Sequence, residues 1–313
     1  MLAASILAEA GFRVPAVRAV FGDVEPVPGA ARPATRCELA AWLRDPEHHP
    51  VFAKPLRGRQ GRGAARTCRY DAATDRIELY DGDRVSVEGF IDSLLAALHA
   101  LRLERVGSGT SDGLVFQEVV RQHPAVVERC GDGLGCLRAY VIVDRGKPRI
   151  LEWAWKIPAP GVAIDTFRRH SNLLAAIDAE TGEVVRLIRG LGPAEEELLD
   201  NPHTGLRLVG WSLPDFAALR DCVLRGATLF PDVRFQGWDV AIGADGPVVV
   251  EVNAGSGFFP AQLATARGFW NAEFRAFVRR AERENPTRPR GLRRLVRAED
   301  ALRRVQEFGR LLR

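Results

Sequence analysis

Two apolar runs separated by a turn, between residues 233 and 257, constrain the fold more than any other part of this chain. The first run extends from Val233 to Ile242 and the second from Val248 to Val252. The five residues between them, 243–247, are of types that tolerate turn geometry, so the pattern predicts a β-hairpin. The carboxyl-terminal half of the protein is therefore expected to contain an antiparallel sheet.

Three polar side chains interrupt this apolar hairpin. Asp239 lies in the first strand, and Glu251 and Asn253 lie two residues apart in the second, so all three can share one face. Such hard oxygen ligands suit Mg²⁺, which completes its shell with phosphates and water. The alternative is a hairpin with ordinary surface carboxylates. An unpaired carboxylate in an apolar strand is costly, however, at roughly 2–7 kcal/mol or more, which favours the metal site.

An Asp on one strand followed by Glu-x-Asn on the next resembles the magnesium signature of the ATP-grasp enzymes. The resemblance implies that a lysine, a glycine-rich loop and an adenine-binding hinge precede the hairpin in the sequence.

A lysine and a glycine-rich loop are present upstream. Lys54 lies in the apolar run 51–55, and Gly58, Gly61 and Gly63 follow it. The loop lacks the Gly-Lys-Ser/Thr ending of a P-loop. Its backbone N–H groups can nevertheless fold over phosphates, and the lysine supplies a point charge. A mobile turn is the alternative for the loop alone, but the order of strand, lysine and loop resembles the phosphate-covering loop of the ATP-grasp family.

An apolar strand at residues 114–120 is the candidate hinge. Taken alone, a buried strand with a polar edge explains this segment better. The resemblance implies instead that Gln117, Glu118 and the backbone of Val119 and Val120 bind the adenine or ribose.

Two candidate catalytic residues lie on the next predicted hairpin, formed by residues 137–143 and 149–157. The resemblance implies that Arg138 contacts the terminal phosphate or the substrate carboxylate and that Lys156 supplies a second positive charge. The polar loop 158–172 follows, and it includes Asp165, His170 and Asn172. Polar residues at this density often line a site. His170 and the later His203 are read as loop histidines more readily than as general bases.

Five further segments, in order, resemble the sugar-transfer-associated branch of the ATP-grasp proteins, over roughly residues 10–270: LRAYVI, SNLLAAIDAETGEV, NPHTG, LPDF and GWDVAIGADGPVVVEVN. This implies an α+β fold in which two α/β subdomains grip ATP between antiparallel sheets. The expected domains are residues 1–119 with the lid, Lys54 and glycine loop, residues 120–284 with the metal site, and a basic helical tail at 285–313. A full N-terminal Rossmann-like domain is not expected.

Composition excludes several classes of protein. Apolar residues make up 46% and charged residues 27%, as in soluble globular proteins, and no apolar run reaches the length of a membrane span. The first residues lack the basic segment of a signal peptide, and five cysteines show no disulfide or zinc pattern, which favours the cytoplasm. The net charge is only +4, without a basic stripe interleaved with aromatics, so nucleic acid is not expected as a partner.

The local pattern also predicts individual helices. Thr35 is expected to cap a helix with Glu38 as its capping-box partner, and Pro193 is expected to begin a short helix that ends at Leu199. Residues 292–312 read as a basic amphipathic helix, in a segment, 281–313, that holds ten Arg against five acidic residues. This helix is expected to pack on the body; the alternatives are a homodimer contact, a partner protein or an anionic surface.

The predicted function is an ATP-dependent carboxylate–amine ligase that forms an amide through an acyl phosphate, with release of ADP and phosphate. Its expected cofactors are ATP and one or two Mg²⁺ ions, for which Mn²⁺ substitutes, and its substrates are a small-molecule carboxylate and an amine. Natural-product or cell-surface polysaccharide biosynthesis is the expected context. The alternatives are a phosphotransferase acting on a hydroxyl and a non-catalytic nucleotide-binding module, which the complete metal trio disfavours.

Overall fold

The computed structural model of the protein describes residues 2–58, 61–103, 112–167 and 171–284. The predicted tail at 285–313 and His170 lie outside these ranges. The chain forms one compact unit that ends at Arg267 and a second that begins at Gly268. No described helix is both long and apolar enough to cross a membrane.

The first half of the chain folds into a six-stranded antiparallel sheet. Its elements, in chain order, are α1 Leu2–Glu9, β1 Val17–Asp23, α2 Arg36–Leu43, β2 Val51–Pro55, β3 Ala65–Asp71, β4 Arg76–Leu79, β5 Arg84–Ser86, α3 Val87–Leu103 and β6 Asp112–Glu118. The strand order is β1-β6-β2-β3-β4-β5. Helices α2 and α3 pack their apolar residues against β1, β2, β4 and β6 to form one hydrophobic core.

The predicted cap of α2 is present with one difference. Thr35 Oγ1 accepts a hydrogen bond from the Glu38 N–H at 3.2 Å. The Glu38 carboxylate accepts from the Ala34 N–H at 2.8 Å, one residue before the cap, and not from that of Thr35. The first contact satisfies a backbone donor that the first helical turn leaves unpaired, and the second pairs the N–H of the residue before the cap.

The second half forms a seven-stranded antiparallel sheet. Its elements are α4 Pro124–Cys130, β7 Cys136–Asp144, β8 Lys147–Ile157, β9 Leu173–Ile177, β10 Val184–Arg189, β11 Glu196–Leu198, α5 Phe216–Ala227, β12 Phe235–Gly243, β13 Gly246–Ala254, α6 Phe259–Thr265 and α7 Ala272–Glu284. The strand order is β11-β10-β9-β8-β7-β12-β13.

Alternation along β8 separates a core face from a polar face of this second sheet. Trp153 and Trp155 are fully buried in a hydrophobic core that also receives α5. Because successive side chains of a strand point to opposite faces, Lys156 projects from the other side. Helix α1 reaches the same core through Leu7, and the Val249 N–H donates to the Arg13 carbonyl at 2.8 Å. The first residues of the chain therefore pack on the second sheet and not on the first.

The predicted helix from Pro193 to Leu199 is wrong. One turn of 3-10 helix is followed by β11, an edge strand paired with β10. The Glu196 carboxylate lies 2.6 Å from the Arg189 guanidinium, and Glu197 lies 3.0 Å from Arg186. These cross-strand ion pairs favour the extended conformation, and the local sequence does not reveal them.

Candidate active site

Strands β12 and β13 gather the three predicted metal ligands on one face of the second sheet. Asp239 lies directly opposite Glu251, and Asn253 lies opposite Gly237, two residues from Asp239. Side chains of paired residues project from the same face. Asp239 is buried, Asn253 is half-buried and Glu251 is exposed. The strand register thus brings two carboxylates and one amide together.

Arg138 on the adjacent strand β7 forms a bidentate ion pair with Asp239. The two residues are directly paired between β7 and β12. Arg138 Nε donates to Asp239 Oδ1 at 2.7 Å and Nη2 donates to Oδ2 at 2.6 Å, while Nη1 donates to Ser256 Oγ at 2.9 Å. Ser256 fits here because residue 237 is a glycine, where a Cβ would overlap the serine side chain. Such two-pronged, charge-assisted bonds fix the guanidinium in one orientation.

Lys156 completes an alternating row of charges. Its Nζ lies 3.1 Å from Asp239 Oδ1 and 2.9 Å from Asp165 Oδ2. We call Arg138, Asp239, Lys156 and Asp165 the four-charge cluster. Its two cations and two carboxylates sum to no net charge, which makes their burial tolerable.

The ion pairs shift the protonation equilibria of this cluster. Burial alone would raise the pKa of Asp239, but the charges of Lys156 and Arg138 outweigh it and hold that pKa well below its usual value. Burial would lower the pKa of Lys156, but Asp165 and Asp239 hold it above its usual value. Asp239, Lys156 and Arg138 are therefore charged at neutral pH.

Asp165 was predicted only as part of a polar loop, and the structure shows how the loop presents it. The buried Asn172 organises the segment: its Oδ1 accepts from the Ala159 N–H at 2.9 Å. Its Nδ2 donates to the carbonyls of Ile164 at 3.0 Å and Thr166 at 2.9 Å, on either side of Asp165. The polar density of residues 158–172 was the signal in the sequence. His203 bonds the Ser171 carbonyl at 3.2 Å and takes no part in the cluster.

The donor set of the hairpin fits Mg²⁺. All three donors are oxygen-bearing, and Glu251 has no hydrogen bond or ion pair within the described part of the chain. The amide nitrogen of Asn253 is buried without a hydrogen-bond partner there, so nothing fixes the amide orientation and its oxygen can turn toward a cation. No cluster of three or more His, Cys, Asp or Glu residues suited to a metal occurs among the described residues. Phosphate or water oxygens would have to complete the shell, as is usual for Mg²⁺.

A cleft of about 640 Å³, partly open to solvent, lies beside this hairpin. Residues from both sheets line it, so the two halves of the chain share one concave site. The cleft brings together most of the residues predicted to bind nucleotide. Its lining includes Lys54, Gln117, Glu118, Val119 and Val120, together with Pro15, Phe52, Arg66, Leu134, Cys136, Ile164, Asp165 and Val250.

Lys54 is a cation without a counter-ion in this cleft. Its side chain has no hydrogen bond or ion pair among the described residues, and its Nζ lies 6.0 Å from the centre of the Phe52 ring. Burial lowers the pKa of Lys54, and the negative charge of Glu251 offsets this only in part. A partly buried ammonium of this kind is stabilised by an anionic ligand.

The candidate hinge leaves backbone groups free. Glu118 Oε1 accepts from the Ala16 N–H at 3.0 Å, and Gln117 Nε2 donates to the Pro15 carbonyl at 3.3 Å. Both side chains are thus engaged with the neighbouring segment. Within the described residues, the backbone of Val119 and Val120 makes no hydrogen bond, which leaves donors and acceptors for the edge of a planar ligand.

The glycine loop packs against the loop that carries Asp165. Gly61 and Gly63 have positive φ angles of 68° and 72°, a region that favours glycine. A Cβ at Gly61 would overlap Ile164, and one at Gly63 would overlap Ala97 and crowd Pro55. At Gly58 a Cβ would lie 3.3 Å from the Pro55 carbonyl oxygen, which is a tight contact but a smaller conflict. Residues 59 and 60 lie outside the described ranges. The spacing of the last two glycines therefore reflects close contact with neighbouring segments.

Arg66 is a cleft residue that sequence reasoning missed. It lies on β3 directly after the glycine loop. Its partners are distant in the sequence, and no local pattern distinguished it from the many other arginines.

Two antiparallel sheets around one cleft form the architecture of an ATP-grasp protein. Residues 1–275 match the family model described as sugar-transfer associated ATP-grasp, and the chain belongs to that family. The predicted family and fold are thereby confirmed. No curated protein sequence gives a significant match.

Several solved structures are similar to this chain. The L-amino acid ligase from Bacillus licheniformis is 12% identical, with a TM-score of 0.41 over 84% of this chain and 43% of that chain. The biotin carboxylase domain of the 2-oxoglutarate carboxylase from Hydrogenobacter thermophilus, in complex with MgADP, ADP and bicarbonate, is 12% identical, with a TM-score of 0.40 over 86% and 45%. The D-alanine–D-alanine ligase from Bacillus anthracis, complexed with ATP, is 15% identical, with a TM-score of 0.36 over 85% and 57%. The chain spans about half the length of these proteins.

Proposed function

We propose that this protein is an ATP-dependent carboxylate–amine ligase that forms an amide through an acyl-phosphate intermediate. The observation that carries the proposal is Lys54, a cation without a counter-ion in a cleft lined by residues of both sheets. Membership of the ATP-grasp family supports ATP as the ligand of that cleft.

The two ends of the cleft suit the two ends of ATP. At one end, the unpaired backbone of Val119 and Val120 suits the hydrogen-bonding edge of adenine, beside apolar walls such as Phe52. At the other, Lys54 offers its charge to the phosphates. The loop that carries Gly61 and Gly63 would close over them and exclude water.

Asp239, Glu251 and Asn253 would hold one or two Mg²⁺ ions. A bound Mg²⁺ supplies charge that offsets the negative charge developing on the phosphates. Asp239 keeps its negative charge for this task because its low pKa prevents protonation, and Arg138 and Lys156 fix its position.

Arg138 and Lys156 would bind and orient the acceptor carboxylate near the terminal phosphate. A carboxylate oxygen forms the new bond to the γ-phosphorus while the bond to the β-phosphate oxygen breaks, and ADP leaves. The amine then forms a C–N bond with the acyl carbon, phosphate departs, and the amine loses a proton. Positive groups already in place stabilise the charge transferred in the first step.

The description of the family as sugar-transfer associated supports a role in cell-surface polysaccharide or natural-product assembly. In that context the acceptor is a carboxylate carried by a sugar or a small metabolite, and the amine comes from a second small molecule.

Hydroxylamine trapping tests the chemistry. The protein, Mg-ATP and hydroxylamine are incubated with pools of carboxylic acids, and hydroxamate and ADP are measured. Hydroxamate formation that Glu251→Ala abolishes is the expected result. Asp245→Ala is the matched control, because Asp245 lies in the turn of the same hairpin and its carboxylate pairs with the exposed Arg13. ADP with a phosphorylated product and without hydroxamate would replace the ligase with a phosphotransferase. Wild-type turnover in Glu251→Ala would refute the metal assignment.

A further inference from the structure

Arg66 is held rigidly by residues from distant parts of the chain. Its Nη1 donates to the Asp132 carbonyl at 2.9 Å and its Nη2 donates to Asp132 Oδ2 at 3.0 Å. The guanidinium carbon lies 4.0 Å from the centre of the Tyr80 ring. Tyr80 Oη in turn donates to Asp132 Oδ1 at 2.6 Å. One edge and one face of the guanidinium plane are therefore occupied.

The remaining surface of Arg66 is turned toward the cleft. Arg66 lines the cleft, whereas Tyr80 and Asp132 do not. These two residues therefore contact Arg66 on the side that faces away from the cleft. Its side chain is only 16% exposed, and Nε is buried without a hydrogen-bond partner among the described residues. A buried N–H group without a partner is unfavourable unless a ligand or water satisfies it.

The strand register places Arg66 at the hinge end of the cleft. Arg66 lies opposite Phe52 in the β2–β3 pairing, and Phe52 lies opposite Gln117 in the β2–β6 pairing. Lys54 is two residues farther along β2, on the same face and nearer the glycine loop. Arg66 therefore lies level with Gln117, two residues before Val119. It does not lie level with Lys54, the cation proposed to bind the phosphates.

We propose that Arg66 is a nucleoside-binding residue whose free guanidinium face packs on the purine base of ATP, so that the cation lies between the base and Tyr80. This inference rests on the proposed ATP site and adds a residue to it. A flat, delocalised cation held over one ring can pack its other face on a second π system, which an ammonium cannot. Asp132 and Tyr80 are positioning residues, because they act through Arg66.

The base-stacking role has a structural consequence. Arg66 belongs to the first sheet, and Asp132 precedes the first strand of the second sheet. A base that packs on Arg66 therefore contacts a side chain whose position depends on both halves of the molecule. The affinity for the nucleoside is coupled to the contact between β3 and the segment around Asp132.

Calorimetric titration with two ligands separates the nucleoside end from the phosphate end. Wild-type protein, Arg66→Ala, Arg66→Lys and Lys54→Ala are titrated with Mg-ATP and with inorganic tripolyphosphate. Arg69→Ala is the matched control, because Arg69 lies on the same strand and pairs with the surface residue Glu78. Thermal unfolding of each variant confirms that it is folded, and Arg66→Lys retains the charge if Arg66→Ala is unstable.

In the expected result, Arg66→Ala raises the Kd for ATP about tenfold, the size of a lost stacked cation, and leaves that for tripolyphosphate unchanged. Arg66→Lys does not recover the affinity for ATP. Lys54→Ala lowers the affinity for both ligands, and Arg69→Ala changes the affinity for neither. Asp132→Asn weakens ATP binding in the wild-type background and has no further effect when combined with Arg66→Ala, as a positioning role requires.

Three results would overturn the inference. If Arg66→Ala lowers the affinity for ATP and for tripolyphosphate equally, Arg66 is a phosphate ligand. If the affinity for both is unchanged, Arg66 is not part of the site. In either case the ATP site itself would stand. Wild-type protein that binds no ATP would overturn the proposed function, and the role of Arg66 with it.

Discussion

Substitution of Lys156 by Met isolates the electrostatics of the four-charge cluster. Methionine keeps an unbranched chain of similar length but removes the charge. The side chains of Lys156, Asp239 and Asp165 are 11%, 5% and 17% exposed, so water cannot replace the lost partner. Breaking a buried ion pair from one side costs roughly 3–5 kcal/mol. Arg138 still neutralises Asp239, so we expect the lower end, a loss of about 3 kcal/mol in the free energy of unfolding.

The loss should depend on pH. In the variant, one buried carboxylate has no cation, so its pKa in the folded state rises above that in the unfolded chain. Protonation relieves the uncompensated charge as pH falls, and the deficit shrinks. We therefore expect a larger deficit at about pH 8 than at about pH 5.5. The double variant Lys156→Met/Asp165→Asn removes one cation and one anion, and it should be more stable than Lys156→Met alone at the higher pH.

Urea unfolding without nucleotide measures these differences. The matched control is Lys147→Met, because Lys147 is exposed at the turn of the same hairpin, and we expect a change of no more than about 0.5 kcal/mol there. A deficit below about 1 kcal/mol for Lys156→Met, or the same deficit at both pH values, would refute the reasoning about the cluster.

Two further predictions concern the glycine loop and acid stability. Gly61→Val should displace the loop, because the new side chain overlaps Ile164, and trypsin should therefore cleave the loop faster. Gly29→Val is the control for backbone strain alone, because residue 29 has a similar positive φ but lies in open space. Equal cleavage of the loop in both variants would contradict this. Because the pKa of Asp239 is depressed in the folded protein, its contribution to stability is present above about pH 4 and is lost as pH falls further. Asp239→Asn should therefore flatten the fall in unfolding free energy below that pH, and an unchanged slope would count against the assignment.

The hairpin that holds Asp239 and Glu251 was predictable because its information is local. A turn of tolerant residues between two apolar runs sets the register as far as Val240, which lies opposite Val249. A bulge between Asp239 and Val240 then shifts the register by one residue and places Asp239 opposite Glu251, and the local sequence pattern does not specify that bulge. The contact with Arg138 was not predictable in the same way, because β7 and β12 are about a hundred residues apart in the sequence and become neighbours only in the folded sheet.

Other features depend on partners that local patterns do not specify. The local sequence around Glu196 and Glu197 is typical of a helix. In the fold these residues form a strand, because they pair with Arg186 and Arg189 on the neighbouring strand. In the sequence, nothing distinguishes Arg66 from the other arginines. In the fold, hydrogen bonds to Asp132 fix the orientation of its guanidinium plane. In both cases, nonlocal ion pairs decide the outcome and intrinsic propensity does not.

The position of Leu7 has a consequence for biosynthesis. The core that buries this residue is built from strands that are synthesised more than a hundred residues after it. Domains generally fold as units in the order of their synthesis. The six-stranded sheet can therefore form while helix α1 is still without its partner. Docking of that helix requires the core of the second sheet, so it follows the synthesis of those strands.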